Sequence, residues 1–217
     1  MLLASEREQV VVYGRKLITS NLTTGSGGNL SIYNRKEGLV AIKPSGVDYF
    51  EMRPEDVVVM TTEGEVVDGK LKPSSEYRFH LALLNHRADI NAVVHTHQVY
   101  ATTIACLNWE IPAIHYLAGF SGNKVPLAPY ATFGTQELCD NIVRAIGNYN
   151  ACLMANHGIV TVGETIAAAF ATAEELELVA RLFYQAKCIG QPVILSDEEM
   201  SIVLEKFKTY GQHAQDT

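Results

Sequence analysis

Apolar positions along the chain change period several times, and each change marks an element. Residues 5–20 carry apolar side chains at helical spacing and read as an amphipathic helix, which the glycine-rich stretch 25–28 then interrupts. "NLSIY" and "GLVAI" alternate with a period of two, like paired strands around the turn "NRKEG", and "DVVVMTTEGEVVDG" repeats that pattern around Glu63-Gly64. Ser74 or Ser75 is placed to cap a helix running to about Arg87. "INAVVHTH" reads as a strand, "VYATTIACL" and "TQELCDNIVRAIG" as helices, and "NACLMA" and "GIVTVG" as two further strands. A long helix is expected over about 165–189 and a shorter one after Ser196-Asp197. Hairpin signals in succession, with helices between them, predict an α/β chain: a largely antiparallel sheet with helices packed on it. With no repeat and no long linker, residues 1–217 are expected to form a single domain.

Composition narrows the classes. At 217 residues and 47% hydrophobic, the chain can bury a large core. A formal charge of -7 with no dense Lys/Arg cluster argues against nucleic acid or an anionic membrane as partner. Cys106, Cys139, Cys152 and Cys188 are scattered without a C-x-x-C, a pattern that fits reduced thiols in the cytoplasm. The N-terminus turns charged at Glu6, unlike a secretory signal, and no apolar stretch reaches the roughly 20 residues of a membrane span.

The candidate chemistry begins at "VVHTHQ". In a strand, residues i and i+2 share a face, so His95 and His97 would aim their imidazoles the same way, as two ligands of one tetrahedral ion require. Solvent-facing histidines at a strand end would give the same spacing. His157, between two apolar runs and followed by Gly158, is a third candidate; three histidines with an open fourth position form a catalytic zinc arrangement. Alone, His157 reads as a turn histidine.

"KPSSEYRFH" adds a carboxylate. Glu76, in the first turn of the predicted helix, is either a helix-dipole partner or a general base beside the metal. His80, at i+4 from Glu76, shares its face and reads as structural. Ser74 and Ser75 offer donors at a helix N-terminus, a place that suits anions. "TTGSGGNLSI" lacks the Gly-Lys-Ser/Thr ending of a phosphate loop and precedes a strand, so a nucleotide site is a weak reading. "IKPSGVDY" is an ordinary turn signal. Together with the two serines these loops could gather donors around one phosphate, though spacing alone does not make them converge.

"GGNLS", "KPSG", "KPSSEYRFH", "NAVVHTH", "IPAIHY", "PLAPYATFGT", "NHG" and "VLEKFKTYG" together resemble the class II aldolase/adducin family, in the family's order from about residue 5 to residue 211. Within it they are most similar to the L-fuculose-1-phosphate aldolase branch. The resemblance implies an α/β/α sandwich around a mostly antiparallel central sheet and a four-fold homotetramer with the active site at a subunit interface. It implies one zinc ion per chain on His95, His97 and His157, with Glu76 as the acid/base residue. It implies a phosphate site of Asn29, Ser45, Gly46, Ser74 and Ser75, with Tyr116 reaching a neighbouring subunit's site as a proton carrier and Tyr210 in the tail nearby.

The implied reaction is reversible cleavage of a ketose 1-phosphate, L-fuculose 1-phosphate in that branch, to dihydroxyacetone phosphate and L-lactaldehyde. "IKPSGVDY" is closer to the L-ribulose-5-phosphate 4-epimerase branch, whereas Glu76 and "HYLAGF" match the aldolases. An epimerase, a phosphosugar dehydratase and a non-enzymatic adducin-like scaffold are the alternatives on the same fold. The intact set of three histidines and Glu76 argues against the scaffold.

Overall fold

The computed structural model describes residues 1–209. Ten strands form from the alternating segments: β1 Asn29–Asn34, β2 Leu39–Ile42, β3 Val58–Thr61, β4 Val66–Asp68, β5 Ala92–Thr96, β6 Ile111–Pro112, β7 Lys124–Val125, β8 Leu127–Ala128, β9 Ala151–Met154 and β10 Gly158–Gly163. Six α-helices accompany them: α1 Ala4–Thr19, α2 Tyr77–His86, α3 Val99–Cys106, α4 Gln136–Ile146, α5 Ile166–Ile189 and α6 Asp197–Phe207.

Eight strands make one sheet in the order β4-β3-β2-β1-β5-β10-β9-β8, while β6 and β7 pair separately. Every neighbouring pair in the large sheet is antiparallel except β8 with β9. The expected antiparallel sheet is therefore present. Sequence periodicity did not reveal β6, β7 and β8, because strands of two residues are too short to show an alternation.

Alternation assigns the two faces. On β5, Val93 packs into a core with Phe79, Leu83 and Leu84 of α2 and with Leu138, Ile142 and Ile146 of α4. Its neighbours Ala92 and Val94 point the other way, into a core with Val10 and Leu17 of α1 and Ile166, Ala169 and Phe170 of α5. A third cluster, with Ile104 of α3 and Leu176, Val179 and Ala180 of α5, covers Leu153 and Ile159 on that second face. The result is the expected α/β/α layering, helices on both faces of one sheet.

Helix starts follow the expected chemistry in α4, α5 and α6. Thr135, Thr165 and Ser196 each accept a hydrogen bond from a backbone N–H of the first turn, and Ser196 with Glu199 completes a reciprocal pair. The expected start of α2 is corrected. The helix begins at Tyr77, Glu76 occupies the cap position without a side-chain bond to the helix, and neither Ser74 nor Ser75 caps it. The Ser74 hydroxyl instead accepts the Glu76 N–H at 3.3 Å, which leaves the Glu76 side chain free to point into the molecule. No helix among the described residues is long and apolar enough to cross a membrane.

Candidate metal centre and active-site cavity

Register brings the site together. β1 pairs with β5 so that Asn29 lies opposite His95, and β10 pairs with β5 on its other edge. His95 continues the Val93 face, toward α2, where its ring meets Phe79 edge-on at 5.5 Å. His97 is one residue past the strand, held by its neighbours: the Thr96 hydroxyl donates to the Gln98 side chain at 2.8 Å, and the Gln98 amide donates to the Ala173 carbonyl of α5 at 3.1 Å. The Glu177 carboxylate then accepts the N–H groups of Tyr100 and Ala101, fixing the start of α3 immediately beyond.

His157 arrives from a three-residue turn between β9 and β10. Asn156 adopts a φ of 53°, a left-handed conformation that asparagine tolerates better than most residues. Two glycines make the close packing possible. A Cβ on Gly158 would collide with the Thr96 carbonyl oxygen, and one on Gly28, whose φ is +67°, would lie 2.7 Å from the His95 carbonyl oxygen.

The three rings converge. Centroid separations are 4.8 Å for His95–His97 and for His95–His157, and 5.3 Å for His97–His157. One nitrogen from each lies within 4.8 Å of the others. The His95 Nδ1–H donates to the Ile159 carbonyl at 2.9 Å, which fixes the tautomer and turns the Nε2 lone pair into the cluster. Burial pushes the His95 pKa down to about 3 against the attraction of Glu76, and burial likewise lowers that of His97. Both rings are thus neutral, the state in which imidazole binds a metal.

Glu76 closes the ring of donors. Its Oε2 lies 3.4 Å from His95 Nε2 and its Oε1 lies 3.2 Å from His157 Nε2. Oε1 is nonetheless buried without a hydrogen bond. Burial alone would raise this carboxyl, but His95, His157 and the Asn29 amide together hold it well below the ordinary carboxylate range. An unpaired buried polar atom costs about 1–3 kcal/mol, and more when charged. Three converging imidazoles beside a carboxylate with one unsatisfied oxygen therefore form a donor set that fits a divalent ion of borderline softness.

A cavity of about 260 Å³ opens beside Glu76 and His97. Asn29, Ser45, Gly46, Ser74 and Ser75 all line it, so the loops that spacing left apart do meet. The reason is a short antiparallel stitch: Ser45 N–H donates to the Lys72 carbonyl and Ser74 N–H to the Lys43 carbonyl, each at 3.0 Å. Those two amides are committed, which leaves the serine hydroxyls as donors. Asn29, besides lining the cavity, also reaches the carboxylate. It is 4% exposed, and its amide donates to Glu76 Oε2 at 2.8 Å.

Lys43, on the same cavity wall, had gone unnoticed in the sequence. Its Nζ donates to the Ser26 and Pro44 carbonyls and sits 4.6 Å above the Tyr49 ring, and burial lowers its pKa to about 8. The signal was there in "LVAIKPSG", a lysine at the end of an apolar strand beside an anion-suited turn.

Tyr116 does not join the histidines within one chain. It is 49% exposed and lines a separate pocket of about 570 Å³ with Leu117, Phe120, Val203 and Phe207. Tyr210 lies outside the described residues.

Residues 8–184 match the family described as the Class II Aldolase and Adducin N-terminal domain. The chain is 51% identical over 212 residues to the 5-deoxy-D-ribulose 1-phosphate aldolase of Bacillus thuringiensis serovar kurstaki, covering 98% of this chain and 100% of the relative. It is 44% identical over 192 residues to the L-fuculose phosphate aldolase of Escherichia coli K12, covering 88% of each. A solved structure of an L-fuculose 1-phosphate aldolase superposes with a TM-score of 0.94 at 44% identity, over 96% of this chain and 98% of that one.

Proposed function

The chain belongs to the class II aldolase and adducin family, as an aldehyde-lyase of the metal-dependent class, and we propose that it cleaves short methyl-terminated ketose 1-phosphates between C3 and C4. The leading substrate is a 5-deoxypentulose 1-phosphate, giving dihydroxyacetone phosphate and acetaldehyde. The relative matched over its whole length supports that choice, since it is an aldolase for such a sugar. L-Fuculose 1-phosphate, giving L-lactaldehyde, is the second reading, supported by the relatives at 44% identity. Both aldehydes end in a methyl group, so the two substrates differ by one hydroxymethylene unit.

One observation carries the reading: Glu76 faces the imidazole cluster on one side and a phosphate-sized cavity on the other. A divalent ion, most simply zinc, on His95, His97 and His157 would supply Lewis acidity at the C2 carbonyl. Ser45, Ser74 and Ser75 hydroxyls and the Lys43 ammonium would hold the phosphate, so that binding energy remote from the reacting bond orients the sugar. Glu76, a carboxylate held ionised, would take and return the proton at C3. Tyr116 would serve the C4 hydroxyl of a neighbouring copy in a homotetramer, the expectation drawn from the family resemblance; its exposure fits that placement.

The test is a panel of ketose 1-phosphates with a coupled assay for dihydroxyacetone phosphate. 5-Deoxyribulose 1-phosphate should give the highest kcat/KM. Formation of an epimeric pentulose phosphate, or loss of water, with no triose phosphate released would replace the aldolase reading by one of the related lyase or epimerase chemistries.

A further inference from the structure

A line of four side chains runs from β1 through α2 to the carboxylate. Ser31 Oγ lies 2.8 Å from His80 Nδ1. On its far side, the His80 ring contacts Asn29 Oδ1 through Nε2, and Asn29 Nδ2 donates to Glu76 Oε2 at 2.8 Å. Ser31 and His80 are fully buried, and Asn29 nearly so. Asn29 and Ser31 are two apart on one strand and share a face, while His80 lies one helical turn below Glu76.

Each member fixes the next. The carboxylate can only accept, so the Asn29 group beside it must be the amide NH₂, and the Asn29 oxygen is turned back toward α2. An oxygen there needs a donor, so His80 must carry its proton on Nε2, and Nδ1 then accepts from the Ser31 hydroxyl. Burial, opposed in part by Glu76, lowers the His80 pKa to about 3, in keeping with a neutral ring. Without an N–H at His80 Nε2, the Asn29 amide would lose the partner that selects its orientation. Rotated by half a turn, it would set oxygen against oxygen at Glu76.

We propose that His80 is a positioning residue, which through Asn29 holds the Glu76 carboxylate in the orientation its proton transfer needs. The relay geometry stands without reference to substrate; its kinetic consequence rests on the aldolase reading above. Glu76 keeps its contacts to the histidine cluster in either case, so loss of the relay alters how the carboxylate is aimed rather than whether the site exists.

Three measurements test this, and they separate its failure from failure of the aldolase reading. Nitrogen-15 NMR of the wild-type imidazoles should show one histidine as a neutral Nε2–H tautomer that Ser31→Ala and Asn29→Ala both perturb; an Nδ1–H tautomer at His80 overturns the relay whatever the enzyme's activity. His80→Leu, with normal metal content and KM, should lower kcat about 10–100-fold, the usual range for outer residues that orient a functional group, and His80→Gln, whose amide can donate to Asn29, should restore most of it. In a Glu76→Gln background, His80→Leu should cause no further loss, because both changes act on one group. Fully multiplicative losses, or unchanged kcat in a folded His80→Leu protein, would overturn the positioning role. Should no ketose 1-phosphate be cleaved, the tautomer result still decides the relay by itself.

Discussion

His95 Nε2 and His97 Nε2 lie 3.0 Å apart, although His95 has already committed its ring proton to the Ile159 carbonyl. Only one proton can lie between the two nitrogens, and Glu76 Oε1, 3.2 Å from His157 Nε2, has no hydrogen bond. The arrangement is built to share a cation. The purified protein is expected to hold about one divalent ion per chain. Chelation should abolish activity, and zinc or cobalt should restore it. Saturating metal should also raise the unfolding temperature, since ligand present at 100 times its Kd stabilises by about 2.7 kcal/mol. Full activity in a sample shown to be metal-free would remove the metal from the mechanism.

Glu76→Gln separates a proton carrier from a helix-end charge. The carboxylate makes no bond to α2, so the dipole reading, worth about 0.3–1 kcal/mol, has little structural support. The variant should keep its fold and lose about 10²–10⁴ in kcat. It should also fail to exchange the C3 proton of dihydroxyacetone phosphate with solvent, a half-reaction that needs neither aldehyde nor Tyr116. Wild-type exchange rates in this variant would point to a different base.

Lys43 is expected to make phosphate binding pH-dependent. Its pKa is lowered to about 8, so the free protein carries a cation on the cavity wall below that pH and a neutral amine above it. A bound phosphate favours the charged form, and affinity should therefore fall as pH rises through about 8. KM is expected to climb there while kcat stays flatter. Lys43→Met should raise KM at neutral pH and flatten the alkaline rise; an unchanged profile in the variant would place the titration elsewhere.

Gly158→Ala tests how tightly the centre is packed. The added methyl would collide with the Thr96 carbonyl and sit 3.1 Å from the His97 ring, so either β10 moves away from β5 or His97 leaves the cluster. A stability loss of about 1–3 kcal/mol in urea unfolding, the range for overpacked interiors, together with weakened metal binding is expected. Retained stability and metal affinity would show that the hairpin shifts without cost.

Tyr116 and His97 can be tested in one experiment. Chains with Tyr116→Phe and chains with His97→Ala should each be inactive, and mixing and reassembling them should restore part of the activity, since some sites would then combine an intact cluster with an intact tyrosine. No recovery in demonstrably mixed oligomers would return Tyr116 to a packing role.

The sequence by itself determined the order of elements, the antiparallel character of the sheet and the histidine pair. These rest on local periodicity: alternation marks β1 to β5, β9 and β10, and the i, i+2 rule puts His95 and His97 on one face. Residue spacing offered His157 and Glu76 as candidates, the motif resemblance chose between their alternative roles, and the fold brings both to the histidine pair. Tertiary structure alone decided the rest. Neither the stitch between residues 43–45 and 72–74, which joins the two serine loops, nor the Asn29–His95 register has a signature within either segment. The same holds for the line from Ser31 through His80 and Asn29 to Glu76: its residues are 47 to 51 positions apart across the strand–helix gap. Such contacts depend on which strands become neighbours, a property of the whole packed chain. Local propensity placed Glu76 inside a helix turn. Long-range packing moved it to the cap position, with its carboxylate turned inward to the histidines.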